Sequence, residues 1–316
     1  MDVSSTPEKS PMKNPNPRRT FRNVIALGVV CLIFGAPSVS FGWGPGGHMM
    51  TAQIAFARLN PHAKAQAKTL LAIPINPSAV SAKSKDFVGA SHWADDLRSI
   101  PAFDFLKPLH FIDKSFSTDG TALPAIVVPN IVTALRDNVK ILKTSTNQNA
   151  RAQALRLIIH FVGDIHQPLH CTDRVSSALP AGDHGGNLVT IKITDANGNL
   201  RSINLHSYWD GGLESFPKGG PPPQFLPPSL STIPPAAAAA TAGNPASDPA
   251  IKLNDPFNFS AWANESFSLA KSVAYNGVSN GMEPSSAYKS KGIKVTRQRV
   301  AWGGYRLAAL LNSIWP

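Results

Sequence analysis

The segment His-Phe-Val-Gly-Asp-Ile-His-Gln-Pro-Leu-His, from His160 to His170, constrains the fold more than any other stretch of the chain. Upstream of it, Leu155, Ile158, Ile159 and Val162 fall at helical spacing with one buried face. His160 and Asp164 are four residues apart, so they project from one side of that helix, a turn from each other. Pro168 does not continue a helix, so the chain turns before His170 and re-aims it. Two imidazoles and a carboxylate converging in this way suit a borderline metal such as zinc. A lone His/Asp pair at this spacing is more often a simple hydrogen-bonded pair. Here the spacing recurs in His206 and Asp210, while Asp95 follows Trp93-Ala94 and His110 opens His-Phe-Ile-Asp. Such a set reads as more than one metal.

A chain of 316 residues, 43% hydrophobic, suffices for one large domain with a substantial core. Its formal charge is +11, and residues 1–42 contribute five basic and two acidic side chains, so the remainder carries +8. A basic surface suits a polyanionic substrate through long-range attraction. Residues 1–42 read as a targeting segment. Arg18, Arg19 and Arg22 precede an apolar run from Val24 to Gly35, too short to span a membrane and about right for a signal peptide. Ser40 and Gly42 supply small residues for cleavage before Trp43. With Cys31 removed, Cys171 is the only thiol, which excludes an intramolecular disulfide.

From Trp43 onward the pattern is mainly helical. Helices are expected from about Met49 to Leu59, from Asn60-Pro61 to Leu71, over Asp86–Leu97 and around Ile131–Leu142, followed by the central helix. Residues 188–193 and 200–203, joined through Asp195-Ala-Asn-Gly198, predict one small β-hairpin, entered through Gly185-Gly186-Asn187. Residues 217–249 hold ten prolines and an alanine run, and are expected to form a flexible loop inserted in the domain. Helical pattern resumes over Phe259–Tyr275 and Ser286–Ile314.

Taken in order, Trp43-Gly-Pro-Gly-Gly-His48, Trp93-Ala-Asp95, His110-Phe-Ile-Asp113, His160 to His170, and His206 to Asp210 resemble the S1/P1-type nucleases, zinc-dependent secreted enzymes that cut single-stranded nucleic acid. The resemblance runs to the C-terminal Arg306–Leu311 and omits only the proline-rich insertion. It implies a single-domain multi-helix bundle of the phospholipase C/P1 nuclease type, over residues 43–316, with three Zn²⁺. Asp95, His110, His160 and Asp164 would hold the first ion. Trp43, through its freed amine and carbonyl, and His48 would hold a second, with Asp164 as a shared bridge; His170, His206 and Asp210 would hold the third. Asp95, Asp164 and Arg98 would carry catalysis, Arg98 by stabilising charge on the phosphoryl oxygens. Phe111 and Asp113 match the nucleobase pocket, a ring to stack on and a carboxylate for the base edge.

The implied activity is metal-assisted hydrolysis of single-stranded RNA or DNA to 5′-phosphorylated products, with 3′-nucleotidase activity on 3′-nucleotides. A secreted or periplasmic monomer, with no stable membrane association after processing, is expected. Of the remaining histidines, His62 and His184 are expected at the surface, His92 beside the ligands, and His166 pointing away from the metals. Two other readings share the ligand set. A zinc-dependent phospholipase C would place Glu where Asp210 stands, and a non-catalytic zinc-binding secreted protein would need neither Arg98 nor the Phe111/Asp113 pair.

Overall fold

The computed structural model describes residues 42–75, 84–195, 198–220 and 226–316, all within one compact unit. Of the expected leader, residues 1–42, all but Gly42 lies outside the described residues. Helix α1 (Pro45–Arg58) starts with proline in its first turn, where a missing N–H costs nothing, and runs four residues ahead of the expected start. Asn60 caps α2 (Pro61–Leu71), its side chain accepting from the Ala63 N–H at 2.7 Å. A 3₁₀ turn (Gly89–His92) and the single-turn α3 (Trp93–Asp96) occupy the stretch expected as one longer helix. Asn130 and Thr133 form a reciprocal capping box at the start of α4 (Ile131–Thr144).

The central helix α5 (Gln148–Asp164) departs from the one-faced amphipathic pattern. Leu157 apart, each residue from Ala154 to Asp164 is buried, because α1, α2, α4 and the long C-terminal α9 (Ser286–Ile314) all pack around it. Leu155, Ile158, Ile159, Phe161 and Val162 are each at most 1% exposed and join the largest apolar cluster. Full burial of each such side chain is worth about 1.5–3 kcal/mol. This holds the C-terminal end of α5, with its His160 and Asp164, in fixed register.

Two small sheets complete the fold. The expected hairpin is present as β3 (Thr190–Thr194) and β4 (Leu200–Asn204), antiparallel, with Ile191 opposite Ile203. A second ribbon was not legible: β1 (Ser115–Ser117) and β2 (Asp173–Val175) pair in parallel over three residues each. Helix α6 (Leu205–Asp210) follows β4 directly, with Asn204 as its cap.

The proline-rich insertion differs from expectation. Residues 221–225 lie outside the described residues, but Ile233–Ala242 forms a helix, α7, with Pro234 and Pro235 confined to its first turn. Ile233, Ala237 and Ala240 are buried against α1 and α9, and Tyr305 of α9 donates to the Asn244 carbonyl at 2.7 Å. Prolines at the N-terminus of a helix satisfy the chain rather than break it, and the alanine run supplies a flat packing face. Helix α8 (Phe259–Leu269) continues into a π-helical turn, Ala270–Ala274. No helix among the described residues is long and apolar enough to cross a membrane.

Candidate metal centre

Five side chains from four elements meet in a buried cluster at the end of α5. His160 Nε2 and His110 Nδ1 lie 3.0 and 2.9 Å from Asp164 Oδ2, and His48 Nε2 lies 3.2 Å from Asp164 Oδ1. Asp95 faces the same point, 3.6 Å from His160, 3.7 Å from His110 and 3.9 Å from His48. The His48 and His160 rings stack at 4.1 Å between centroids. Gly163 makes this possible, since a Cβ there would come 2.6 Å from His48 Nδ1. His48, Asp95 and His160 also converge on one point.

A third group brings His170, His206 and Asp210 together. His206 and Asp210 are 3.5 Å apart on consecutive turns of α6, and the rings of His170 and His206 lie 4.8 Å apart. The bend forced at Pro168 delivers His170 from a short 3₁₀ turn, Pro168–Cys171. The tautomers are set from behind. His160 Nδ1–H donates to the Ser91 carbonyl, His170 Nδ1–H to the His110 carbonyl, and His206 Nδ1–H to the Gly185 carbonyl, at 2.7, 2.7 and 2.8 Å. With Nδ1–H committed in this way, each ring in its neutral form turns an Nε2 lone pair toward the centre. The loop presenting the Gly185 carbonyl takes three consecutive left-handed residues, His184, Gly185 and Gly186.

These residues fit divalent cations. His48 Nε2, Asp95 Oδ2 and Asp164 Oδ1 are buried without a hydrogen bond, an arrangement costly for polar atoms that lack a cation. Burial, with the His160 charge adding, pushes the His48 pKa down to about 4; burial and the Arg98 charge push His110 down to about 3. Both rings are thus neutral at pH 7, the form in which imidazole can ligate a cation. Burial opposes ionisation of Asp164, yet the His160 charge and the hydrogen bonds from His110 and His160 hold its pKa well below the usual range. Asp95 is also lowered against its burial, chiefly by Arg98, whose Nε lies 3.0 Å from Asp95 Oδ1. Asp210 goes the other way: burial drives it well above the carboxylate range, with the Gln167 hydrogen bond opposing. A cation beside Asp210 would restore its ionised form.

Trp43 is fully buried, edge-on to Phe216 at 5.4 Å. Its neighbours bracket the centre. The Gly44 N–H donates to the Asp210 carbonyl at 2.9 Å, and a side chain at Gly42 would collide with Asp164 and His48. The Trp43 backbone therefore lies at the cluster. Phe111 is half-buried with extended backbone, its carbonyl accepting from the Ile131 N–H at 3.0 Å. Asp113 is also half-buried. Burial first, then the Asp173 charge, raises its pKa to about 6.

Sequence comparison identifies the family. The family described as S1/P1 Nuclease matches residues 43–316. The chain belongs to the S1/P1 nuclease family. Among its relatives, Endonuclease 2 of Arabidopsis thaliana is 27% identical over 309 residues, covering 92% of this chain and 97% of its own. Nuclease S1 of Aspergillus oryzae is 27% identical over 300 residues, 87% and 93% of the two chains, and Nuclease P1 of Penicillium citrinum is 25% identical over 295 residues, 86% and 97%. The mostly helical architecture agrees with the S1/P1 assignment.

Other histidines sort as their positions suggested. His62 and His184 are exposed, and His92 is buried beside Asp96 at 3.0 Å. His166 faces away from the cluster, with Nδ1–H donating to the Val162 carbonyl and Nε2 accepting from Arg306. Arg306 and Arg299 both pair with Glu265, and Arg299 Nε also donates to the His166 carbonyl at 3.2 Å. Helix α9 thereby grips the turn that joins Asp164 to His170. Sequence reasoning missed Gln167, which is fully buried: its Nε2 donates to Asp210 Oδ1 at 2.7 Å and its Oε1 accepts from the Leu169 N–H at 2.6 Å. Its position inside the richest motif was the available signal.

Proposed function

We propose that the chain is an exported zinc-dependent endonuclease that hydrolyses single-stranded RNA and DNA to 5′-phosphorylated products and also removes phosphate from 3′-nucleotides. The observation that carries this reading is the convergence of eight histidine and aspartate side chains into three buried groups next to the Trp43 backbone. His48, Asp95, His110, His160 and Asp164 would hold two zinc ions, with Asp164 between them; His170, His206 and Asp210 would hold a third. Cleavage before Trp43 would free an α-amine and complete the donor set at nine residues. Zinc bound there supplies a Lewis acid and lowers the pKa of water toward ~7.

The chain's own residues do the rest. Arg98 holds one oxygen of Asp95 and, at the edge of the cluster, is positioned to hydrogen-bond a phosphoryl oxygen as its charge builds. Phe111 offers a ring for one base, worth about 1–3 kcal/mol and tolerant of base identity. Asp113 accepts hydrogen bonds from the base edge. A duplex hides base faces from such a pocket, which gives single-strand preference. Asp210 in the place of glutamate, with the Phe111/Asp113 pair and the basic charge, favours this reading over a phospholipase C. The expected state is a monomer outside the cytoplasm, free of the membrane once cut.

The deciding assay incubates mature, zinc-loaded protein with single-stranded and duplex oligonucleotides, with and without chelator, and identifies the product ends. Chelator-sensitive cleavage of the single strand with 5′-phosphate ends is expected. Release of only 3′-phosphate ends would overturn the assignment of the leaving oxygen.

A further inference from the structure

Next to Asp113 the fold carries a cationic, aromatic surface that the catalytic reading leaves unused. Asp113 is followed by Lys114 and then by β1, whose Phe116 pairs in register with Arg174 of β2. Phe116 is buried, edge-on to Tyr275 at 5.2 Å and to Phe267 at 6.3 Å. Three cations cover these rings. Lys114 Nζ lies 5.5 Å from the centre of the Phe267 ring, Lys271 Nζ lies 5.4 Å from the same centre and 5.7 Å from that of Phe116, and the Arg174 guanidinium lies 4.7 Å from Tyr275.

The three are not equivalent. Arg174 reaches Asp183 at 3.3 Å, so its charge is matched. Neither Lys114 nor Lys271 forms an ion pair among the described residues, where the paired lysines are Lys107, Lys218 and Lys289. The carboxylates beneath are engaged: Asp183 accepts from the Arg174 and Gly186 N–H groups and the Tyr275 hydroxyl, and Asp173 from the His184 N–H. Lys271 is exposed and projects from the π-helical turn, a local widening that shifts side-chain direction and recurs at functional sites. An exposed cation over a ring gains only about 0.5–1 kcal/mol, enough to orient an ammonium group and too little to compete with a phosphate.

We propose that Lys114 and Lys271 form a phosphate-binding extension of the site, which holds the nucleic-acid strand beyond the nucleotide whose base reaches Phe111 and Asp113. The inference rests on the nuclease reading. Two ammonium groups within 5.5 Å of one ring centre, on the residue after Asp113 and on the adjoining π turn, present unmatched positive charge to a strand leaving the pocket along β1. Such contacts favour long substrates over mononucleotides and carry no base preference.

The test uses zinc-loaded mature protein and fluorescein-labelled dT20 with phosphorodithioate linkages, which keep the charge and resist cleavage, with binding read by anisotropy across salt concentrations. The double variant K114Q/K271Q should lower the slope of log K against log salt by about 1.4, since each phosphate contact on a single strand contributes about 0.7. With convergence near 1 M salt, this is roughly a 25-fold loss of affinity at 0.1 M. K114R/K271R should restore the slope, and K107Q, which removes a lysine already paired with Asp104, should leave it unchanged. Turnover of a 3′-mononucleotide should be the same in all four proteins. An unchanged slope in K114Q/K271Q, with wild-type protein binding dT20 and cleaving its phosphodiester form, overturns the extension alone. Wild-type protein that neither binds nor cleaves single strands overturns the nuclease reading as well.

Discussion

Replacing Gln167 with methionine tests whether the third group is organised from behind. Gln167 is buried and donates to Asp210 Oδ1 at 2.7 Å, the one hydrogen bond that opposes the burial-driven rise in the Asp210 pKa. Methionine keeps the volume and removes the donor. A hydrogen bond to a buried carboxylate contributes about 1.5–3 kcal/mol, and at about 1.4 kcal/mol per tenfold this becomes a loss of roughly 10–100-fold in zinc affinity. The same range is typical of partners that orient a metal ligand. The Leu169 N–H also loses its acceptor, so the melting temperature should fall. The assay therefore reads metal content as well as stability. Titration in zinc buffers should show one of three ions leaving at 10–100-fold higher free zinc than in wild-type protein, with activity restored at saturating zinc. Wild-type affinity at all three sites, alongside a lowered melting temperature, would show that Gln167 only supports the turn.

Other expectations follow from the same geometry. Asp164→Asn should lose more zinc and more activity than Asp210→Asn, because Asp164 touches His48, His110 and His160 together; equal losses measured by metal analysis would exclude a bridge. Phe111→Ala should raise KM for single strands by the equivalent of about 1–3 kcal/mol with zinc content intact, and an unchanged KM would make the ring a packing residue. Asp113, raised to about 6, is an ionised acceptor through both oxygens only above that pH and turns one of them into a donor below it, so KM should rise as pH falls through about 6. Asp173→Asn removes a neighbouring negative charge and should move that break downward; a break that stays in place would assign it to another group. Protein beginning at Trp43 should bind more zinc and turn over faster than protein carrying one additional N-terminal glycine, and equal values would refute an amine ligand.

The convergence of the histidines and aspartates was legible in the sequence because α-helical spacing is rigid. His160/Asp164 and His206/Asp210 sit four apart, and that alone fixes their relative placement to within a turn. His166 was legible for the same reason, two residues past Asp164 and directed into the core. What escaped depends on contacts distant in sequence. The β1–β2 ribbon joins residues 115–117 to 173–175, and three-residue strands carry no periodicity to read. Helix α7 was hidden by its prolines, whose effect reverses between the first turn and the interior of a helix. The all-round burial of α5 depends on how many neighbours surround it, which one helix's own pattern does not state.

The position of Gly42 bears on when the centre comes into being. This residue lies against Asp164 and His48, in space that admits no side chain, and it joins Trp43 through an ordinary peptide bond. An amide nitrogen has no lone pair to offer a cation, whereas a free amine with a pKa near ~7.7–8.0 does. If a cut before Trp43 frees an amine ligand, folding alone would assemble eight candidate donors and proteolysis would create the ninth. A cut one residue early would leave glycine wedged against Asp164 and His48, and a cut one residue late would remove Trp43 altogether, so the cluster would serve as a ruler for its own maturation. On the proposed function, the centre of an uncut chain would stay one donor short, and the producing cell's own RNA would meet a nuclease not yet armed.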